Sequence, residues 1–483
     1  MAEPPSGLDP QDWQELRALG HRMLDDAFAY LEHCRRRPVW QKMPPALRAE
    51  LDRPLPRTPE SPERAYADFL RLVLPYATGN THPRFMGWVH GGGTAIGMLA
   101  EMLAGALNAN LGGRDHAPIE VERQVVRWAA ELFGLPAETS GLLVTGTSIA
   151  NLIGVLVART ATLGPASRHR GVGAAPLVAY ASRAAHGCIP RAMDISGLGA
   201  DALRRIPCDP AGRIEISALR AAIARDRGRG DRPFLIVGTA GTVDIGAVDD
   251  LAALADIARR ENLWFHVDGA FGAMLALSPR LRPLLSGIEA ADSIGFDFHK
   301  WAQVPYDAGC ILVRDPGRHA AAFAQSAAYL RHDSRGLAGG HPWPCDFGPD
   351  LSRGFRALKV WLTLKVFGGD QLGQVVEASC DLAQALAGRV AGEPALELLA
   401  PVALNIVCFR YVAAEPGSDL DQLNAAIVAD LQEAGIAAPS TTSLGGRLAI
   451  RAALVNHRTT TEDIDALVEA VLRIGAERVT AAA

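Results

Sequence analysis

Four short runs bring reactive side chains to places where buried strands should end. In DSIGFDFHKWAQVPYDAG, residues 292–309, an apolar run stops at Phe296 and is followed by Asp297, His299 and Lys300. A lysine at the carboxyl end of a strand can be desolvated, which lowers its pKa and makes its amine a nucleophile. A surface lysine closing a strand is the plainer alternative. In LWFHVDGAFGAM, 263–274, an apolar and aromatic run leads to Asp268, and Gly269, Ala270 and Gly272 leave room for a flat group near the backbone. That carboxylate could hold a heterocyclic nitrogen protonated; capping a helix is an equal alternative. In LLVTGTSIANL, 142–152, a strand breaks at Gly146 and opens a helix with Thr147 and Ser148 in its first turn. Free amides and hydroxyls at a helix N-terminus suit a phosphate, although Thr and Ser also serve as plain caps. The run is neither a Walker A loop nor G-x-G-x-x-G. His186, in SRAAHGCIPRAMDISGLG (182–199), could stack on an aromatic ligand or fill a structural role.

Together the four fit one task. A carbonyl cofactor with a phosphate tail needs a lysine, an acid for its ring nitrogen, a helix end for the phosphate and a stacking ring. The other histidines considered, His82, His90, His116, His266, His332 and His341, show no H-x-x-x-H spacing, so no metal site is expected.

The surrounding pattern supplies elements to position these groups. From about residue 140 to 315, apolar runs at 176–182, 234–238, 263–268, 292–296 and 309–313 read as buried strands. Helical patterns at 184–197, 216–226 and 249–260 lie between them. Such alternation predicts an α/β domain with a mainly parallel sheet, whose ligands sit beyond the carboxyl ends of the strands. Ahead of it, Trp13, Leu16, Leu19, Met23, Phe28 and Leu31 recur at helical spacing within 9–37, with Asp9 and Pro10 as the start. Six prolines make 44–63 an extended connector, and 91–113 reads as three glycines followed by an apolar helix. After about residue 350 come helices at 354–367 and 370–392, a strand at 404–412, a helix at 418–434, a strand at 448–455 and a helix at 461–475. These predict a smaller C-terminal α+β domain.

Composition narrows the rest. The 483 residues are 49% hydrophobic and 21% charged, with a net charge of −5, which is ordinary for a globular protein. No basic surface suggests nucleic acid; the cluster Arg35–Arg37 reads as a solvated helix end. Seven scattered cysteines without C-x-x-C spacing argue against a disulfide framework and for a reducing, cytoplasmic setting. No secretory leader is expected, and Glu101, Asn108 and Asn110 interrupt the most apolar stretch, so no membrane span is expected either.

The runs HPRFMGWVHGGG, VTGTSIANL, GTAGTVDIGAVDDL, LWFHVDGAFG, DFHKW, LSRGFRALKVW and VNHRTTTEDID resemble, in this order, the group II decarboxylases that use pyridoxal 5′-phosphate (PLP). That family acts on aromatic amino acids, glutamate and diaminobutyrate. The resemblance runs from about residue 65 to the end and implies a PLP-dependent transferase fold of type I. Its large domain is an α/β domain with a mainly parallel seven-stranded sheet. It implies an N-terminal dimerisation segment (1–79), a PLP-binding domain (80–350) and a small C-terminal domain (351–483). Further, Lys300 would bond covalently to the cofactor, Asp268 would pair with its ring nitrogen, and His186 would stack on the ring and aid proton transfer. Thr147, Ser148 and His299 would bind the phosphate, and Ala270 would pack on the ring. The protein would be a homodimer with active sites at the interface, the N-terminal helix wrapping the partner, and would convert an L-amino acid to its amine and CO₂.

Two departures bear on the outcome. In the family a loop tyrosine protonates the carbon that lost CO₂, but 331–350 contains none; Tyr329 precedes it, and His332, His341 and Phe347 lie within it. Relatives lacking that tyrosine produce aldehyde, ammonia and peroxide, which makes oxidative decarboxylation-deamination the alternative, with transamination as another PLP reaction. The substrate pocket maps to Trp88, Val89, His90, Asn110 and Gly112, where two polar side chains and an open glycine replace aromatic residues. Val243 stands where relatives often carry threonine. Transamination needs an arginine for the substrate carboxylate, for which Arg451 is the C-terminal candidate.

Overall fold

Every residue of LVAYAS, WFHVD, SIGFD and GCILV is buried, as expected of strands covered on both faces. In chain order the strands are β1 (Phe85–Met86), β2 (Ser140–Val144), β3 (Leu177–Ser182), β4 (Leu203–Ile206), β5 (Arg232–Thr239), β6 (Trp264–Asp268), β7 (Ser293–Asp297), β8 (Gly309–Val313), β9 (Leu396–Leu398), β10 (Ile406–Tyr411), β11 (Ala438–Leu444) and β12 (Arg447–Ala453). This computed structural model describes residues 7–324, 333–340, 342–413 and 417–482. Tyr329, His332 and His341 lie outside the described residues.

The larger sheet has seven strands in the order β2-β8-β7-β6-β5-β3-β4. It is parallel except for β8, which runs antiparallel to β2 and β7. On β6 and β7, His266 faces Ser293 and Asp268 faces Gly295, so the carboxyl ends of these neighbours lie side by side. One face packs Phe133, Phe265, Phe296, Phe298 and Trp301; the other packs Leu142, Ile153, Val237 and Ile311.

The second sheet has five strands, β1-β11-β12-β10-β9. Its core holds Val407, Phe409, Ile427, Ile450 and Leu467. Strand β1 joins it in parallel with β11, although it lies far earlier in the chain. The segment after β1 therefore crosses from the small sheet to the end of the large one, carrying Trp88 and His90.

Several boundaries differ from expectation for local reasons. The first helix is Trp13–Glu32, starting after Asp12, whose carboxylate accepts the Gln14 and Glu15 N–H groups. Asp9 is thereby displaced as the start, since a side chain that satisfies free amides fixes the first turn. The proline-rich connector contains a short helix, Pro45–Glu50, because proline is tolerated at a first helical position. The helix after His186 is Cys188–Ile195, shorter than 184–197, and leaves His186 on the preceding turn. The two helices after residue 350 form one element, Arg356–Ala391, interrupted at Gly368, where φ is +70°. The last helix continues to Ala482. No helix among the described residues is long and apolar enough to cross a membrane.

Candidate active site

Strands β6 and β7 end at Asp268 and Asp297, and the turn after β7 carries His299 and Lys300. Asp297 Oδ2 lies 2.8 Å from Lys300 Nζ, and Asp297 Oδ1 accepts the Thr147 N–H at 2.7 Å. The helix Thr147–Leu163 thus begins on the same carboxylate that holds the lysine. Glycine is needed beside that turn: a Cβ on Gly309 would stand 2.4 Å from Gly146 Cα. Thr147 Oγ1 is buried without a hydrogen-bond partner, and Ser148 beside it is exposed. A buried hydroxyl is costly to leave unpaired, so this turn is suited to an added acceptor such as phosphate.

His299 Nδ1 accepts the Ala308 N–H at 2.9 Å, which leaves the ring proton on Nε2, 3.7 Å from Asp297 Oδ2. Burial draws the His299 pKa down against the pull of Asp297, so the ring is neutral. Burial also opposes the charge on Lys300, but Asp297 outweighs it and the pKa is raised. Asp268 is 2% exposed. Burial pushes its carboxyl up, with Lys300, His186, Asn151 and the Ala270 amide pulling the other way. A buried carboxylate so placed gains most from a cation, such as a protonated ring nitrogen.

His186 is exposed, with Nδ1 accepting the Cys188 N–H at 3.1 Å, so its ring is fixed while a face remains open. Ala270 is partly buried and donates its N–H to Asp268 Oδ1 at 3.3 Å. Lysine, carboxylate, helix end and imidazole, read separately from the sequence, therefore share one end of the sheet. A flat ring with a carbonyl, a basic nitrogen and a phosphate fits their chemistry.

The pocket residues form a row of rings. His90 lies 5.5 Å from Phe85, 5.9 Å from Trp88 and 5.6 Å from Tyr306, and Tyr306 lies 4.2 Å from His299. A Cβ on Gly91 would stand 2.4 Å from the Lys300 carbonyl oxygen, so only glycine lets this segment approach the lysine turn. Asn110 is exposed, but its Oδ1 accepts the Gly112 and Arg353 N–H groups, both at 2.9 Å. Gly112 does not provide open space as its sequence position suggests. A Cβ there would stand 1.8 Å from the Leu351 carbonyl oxygen, so the missing side chain serves backbone packing.

Arg451 is buried and committed to structure. Its Nε donates to Val243 O at 2.9 Å, its Nη1 to Trp88 O at 3.0 Å and to Ser440 Oγ at 3.2 Å, and its Nη2 to Val243 O. It clips the Trp88 segment to the loop at Val243 instead of offering a fork to a substrate carboxylate. Sequence reasoning gave no role to Asp297, Asn151 or Tyr306. Asn151 lies one helical turn after Thr147, a spacing that places both on one helix face.

Residues 44–412 match the pyridoxal-dependent decarboxylase conserved domain. The chain is 33% identical over 458 residues, 93% of each protein, to an aromatic-L-amino-acid decarboxylase of Bacillus atrophaeus. It is 34% identical over 420 residues to an L-2,4-diaminobutyrate decarboxylase of Rhizobium meliloti, covering 86% of this chain and 83% of the relative. Among solved structures, Oryza sativa TDC with PLP and tryptamine superposes with a TM-score of 0.89 at 25% identity, covering 98% of this chain and 100% of that one. The site geometry and these matches agree: the chain belongs to the pyridoxal-dependent decarboxylase family and is a PLP-dependent amino-acid decarboxylase.

Proposed function

We propose that Lys300 carries the cofactor covalently, that Asp268 pairs with its ring nitrogen, and that Thr147, Ser148 and His299 hold its phosphate. His186 and Ala270 cover the two faces of the ring. The observation that carries this reading is the single Asp297 carboxylate, which joins Lys300 to the first amide of the Thr147–Leu163 helix. When bound, PLP supplies an electron sink for the pair left behind as CO₂ departs. The chain supplies the rest. Asp297 Oδ2 pairs with Lys300 Nζ and holds the amine beside the helix end, where it can attack a carbonyl once unprotonated. Asp268 holds a proton on the ring nitrogen, and His186 restricts the ring to one plane.

Substrate choice falls to Trp88, His90 and, at the pocket edge, Asn110. The row Phe85, Trp88, His90 and Tyr306 favours a flat side chain lying against rings. Burial lowers the His90 pKa, with Lys300 adding to the effect, so its neutral imidazole can accept or donate to a polar substituent. An aromatic L-amino acid with a hydrogen-bonding group is the substrate class this supports.

The working unit is a homodimer in this reading. Trp13, Leu16, Met23 and Phe28 on the first helix, and Met102, Leu103 and Leu107 on the helix Ala95–Leu107, are exposed large apolar side chains that a second copy would cover. Residues 1–79 then serve dimerisation, 80–350 bind the cofactor and 351–483 form the small domain. All seven cysteines are unpaired, which supports a cytoplasmic setting. Sedimentation at micromolar concentration tests the assembly; a monomer with full activity would sink it.

A specific observation favours a second outcome of the same chemistry. Residues 333–350 contain no tyrosine, and Trp343 is buried there, its Nε1 donating to Gly339 O at 2.7 Å while Arg114 lies 4.7 Å over its ring. Without a phenol from this segment, the carbon that lost CO₂ could react with O₂ to give aldehyde. The deciding experiment is product analysis of PLP-loaded protein with a panel of L-amino acids, following amine, aldehyde and peroxide together. Amine with CO₂ and no peroxide supports simple decarboxylation; aldehyde with peroxide supports the oxidative route.

A further inference from the structure

Behind Asp268 runs a row of buried polar side chains that none of these steps uses. Trp264, His266 and Asp268 alternate along β6 and so face the same side of the sheet. Trp264 Nε1 donates to Ser293 Oγ at 2.8 Å, and Ser293 Oγ lies 2.8 Å from His266 Nδ1. His266 Nε2 lies 2.8 Å from Asn151 Oδ1. Asn151 Nδ2 donates to Cys188 Sγ at 3.2 Å, and Cys188 Sγ stands 4.0 Å from Asp268 Oδ2. Asn151, His266 and Ser293 are all fully or almost fully buried.

Chemistry fixes the direction of each bond. An indole N–H only donates, so Ser293 Oγ accepts from Trp264 and gives its own proton to His266 Nδ1. The imidazole proton then sits on Nε2 and goes to Asn151 Oδ1. Burial keeps His266 neutral, with its pKa down to about 4. With its oxygen anchored, the Asn151 amide donates to Cys188 Sγ, which stands beside Asp268 Oδ2, and it is among the groups that draw the Asp268 carboxyl down against burial. Two glycines make room for the row. A Cβ on Gly295 would stand 2.6 Å from Asn151 Oδ1, and one on Gly154 would stand 2.7 Å from His266 Cε1.

We propose that Asn151, oriented through Trp264, Ser293 and His266, is a positioning residue that keeps Asp268 ionised and thereby keeps the cofactor's ring nitrogen protonated. A donor row that ends at a thiol beside a buried carboxylate stabilises its charged form, and an anchored row does so at less entropic cost than a free one. The inference rests on the assignment of Asp268 to the ring nitrogen.

The test loads the enzyme with PLP labelled with ¹⁵N in the ring and reads the nitrogen resonance of the wild type, Asp268→Asn, Asn151→Leu and Ser293→Ala. The wild-type nitrogen stays protonated up to about pH 9, and that of Asp268→Asn is unprotonated. The Asn151→Leu nitrogen loses its proton between about pH 7 and 9, and amine formation falls about tenfold, the loss expected for one hydrogen bond to a charged group. Ser293→Ala moves in the same direction by less, and it decides the matter if Asn151→Leu does not fold or load. A nitrogen that stays protonated in both second-row variants, while Asp268→Asn loses its proton, overturns the proposal alone. A nitrogen still protonated in Asp268→Asn overturns the Asp268 assignment and the proposal with it.

Discussion

Asp297 stands 2.8 Å from the Lys300 amine through one oxygen and 2.7 Å from the Thr147 amide through the other. The same negative charge thus occupies the helix end proposed to receive a phosphate. Two consequences oppose each other. The carboxylate anchors the lysine at the site, yet it repels an incoming phosphate anion.

Replacing Asp297 with Asn separates these effects. An amide oxygen can still accept from Thr147, but the charge is gone. Lys300 then loses the partner that outweighs burial, so its pKa falls toward that of a buried amine. Equilibrium binding of PLP should tighten by about 1 kcal/mol, and loading should speed up near neutral pH because more of the lysine is free amine. Absorbance titration gives the equilibrium and stopped-flow the rate. Looser binding at every pH would mean that the carboxylate's hold on Lys300 matters more than its repulsion of phosphate.

The Tyr306→Phe variant addresses the missing loop tyrosine. Among the described residues, Tyr306 is the tyrosine whose ring meets the lysine turn, 4.2 Å from His299. Although Tyr306 is 45% exposed, desolvation of its hydroxyl, reinforced by Asp297, raises its pKa, so the phenol retains its proton at neutral pH and can give it to a carbanion. If it does so, Tyr306→Phe in air should form less amine and more aldehyde, with one O₂ consumed and one peroxide released per aldehyde. An unchanged amine-to-aldehyde ratio would remove Tyr306 as the proton source.

Much of the site was legible because its residues close apolar runs. WFHVD and SIGFD are buried throughout, so the polar groups that end them, Asp268 and Asp297, mark the open end of a parallel sheet. Thr147 was legible because a glycine breaks a strand just before it. What escaped depends on pairing across the chain. Strand β1 has two residues and becomes a strand only beside β11. β11 itself, APSTTSL, is too polar to stand out. His266 lies two residues before Asp268 and Asn151 four after Thr147, spacings visible in the sequence. Their meeting at 2.8 Å follows only once the Thr147–Leu163 helix lies over β6 and β7. Gly112 was misread for the same reason, since the backbone that crowds it belongs to Leu351.

The pocket edge depends on a buried ion pair. Arg353 and Glu122 have side chains 1% and 4% exposed, with Arg353 Nη1 3.1 Å from Glu122 Oε2. Arg353 also donates to Leu111 O at 2.8 Å and Leu143 O at 2.7 Å, beside the Asn110–Gly112 turn. Arg353→Leu leaves Glu122 buried without a cation and should cost about 3–5 kcal/mol in urea unfolding. Adding Glu122→Leu should recover most of that loss, because the stranded charge and not the missing attraction dominates. A double variant as unstable as the single one would assign the cost to the lost carbonyl contacts instead.

Acid should unfold the protein through its buried histidines. Burial lowers the His319 pKa to about 3 and that of His266 to about 4. In the unfolded chain both return to about 6.5, so below that pH the unfolded state binds more protons than the folded one. Their contribution is complete above about pH 6.5 and is lost as pH falls toward the folded values. Between pH 7 and 5 each histidine should remove about 2 kcal/mol, at roughly 1.4 kcal/mol per pH unit below 6.5. His319 is the cleaner of the two to test, because Ser140 Oγ, 2.8 Å from its Nδ1, also bonds Val313 O at 3.1 Å and keeps a partner when the ring is replaced. In His319→Phe the loss of stability between pH 7 and 5 should shrink by about 2 kcal/mol, whatever the substitution costs at pH 7. Urea unfolding at the two pH values measures that difference, and an unchanged difference would show that His319 does not titrate as its burial requires.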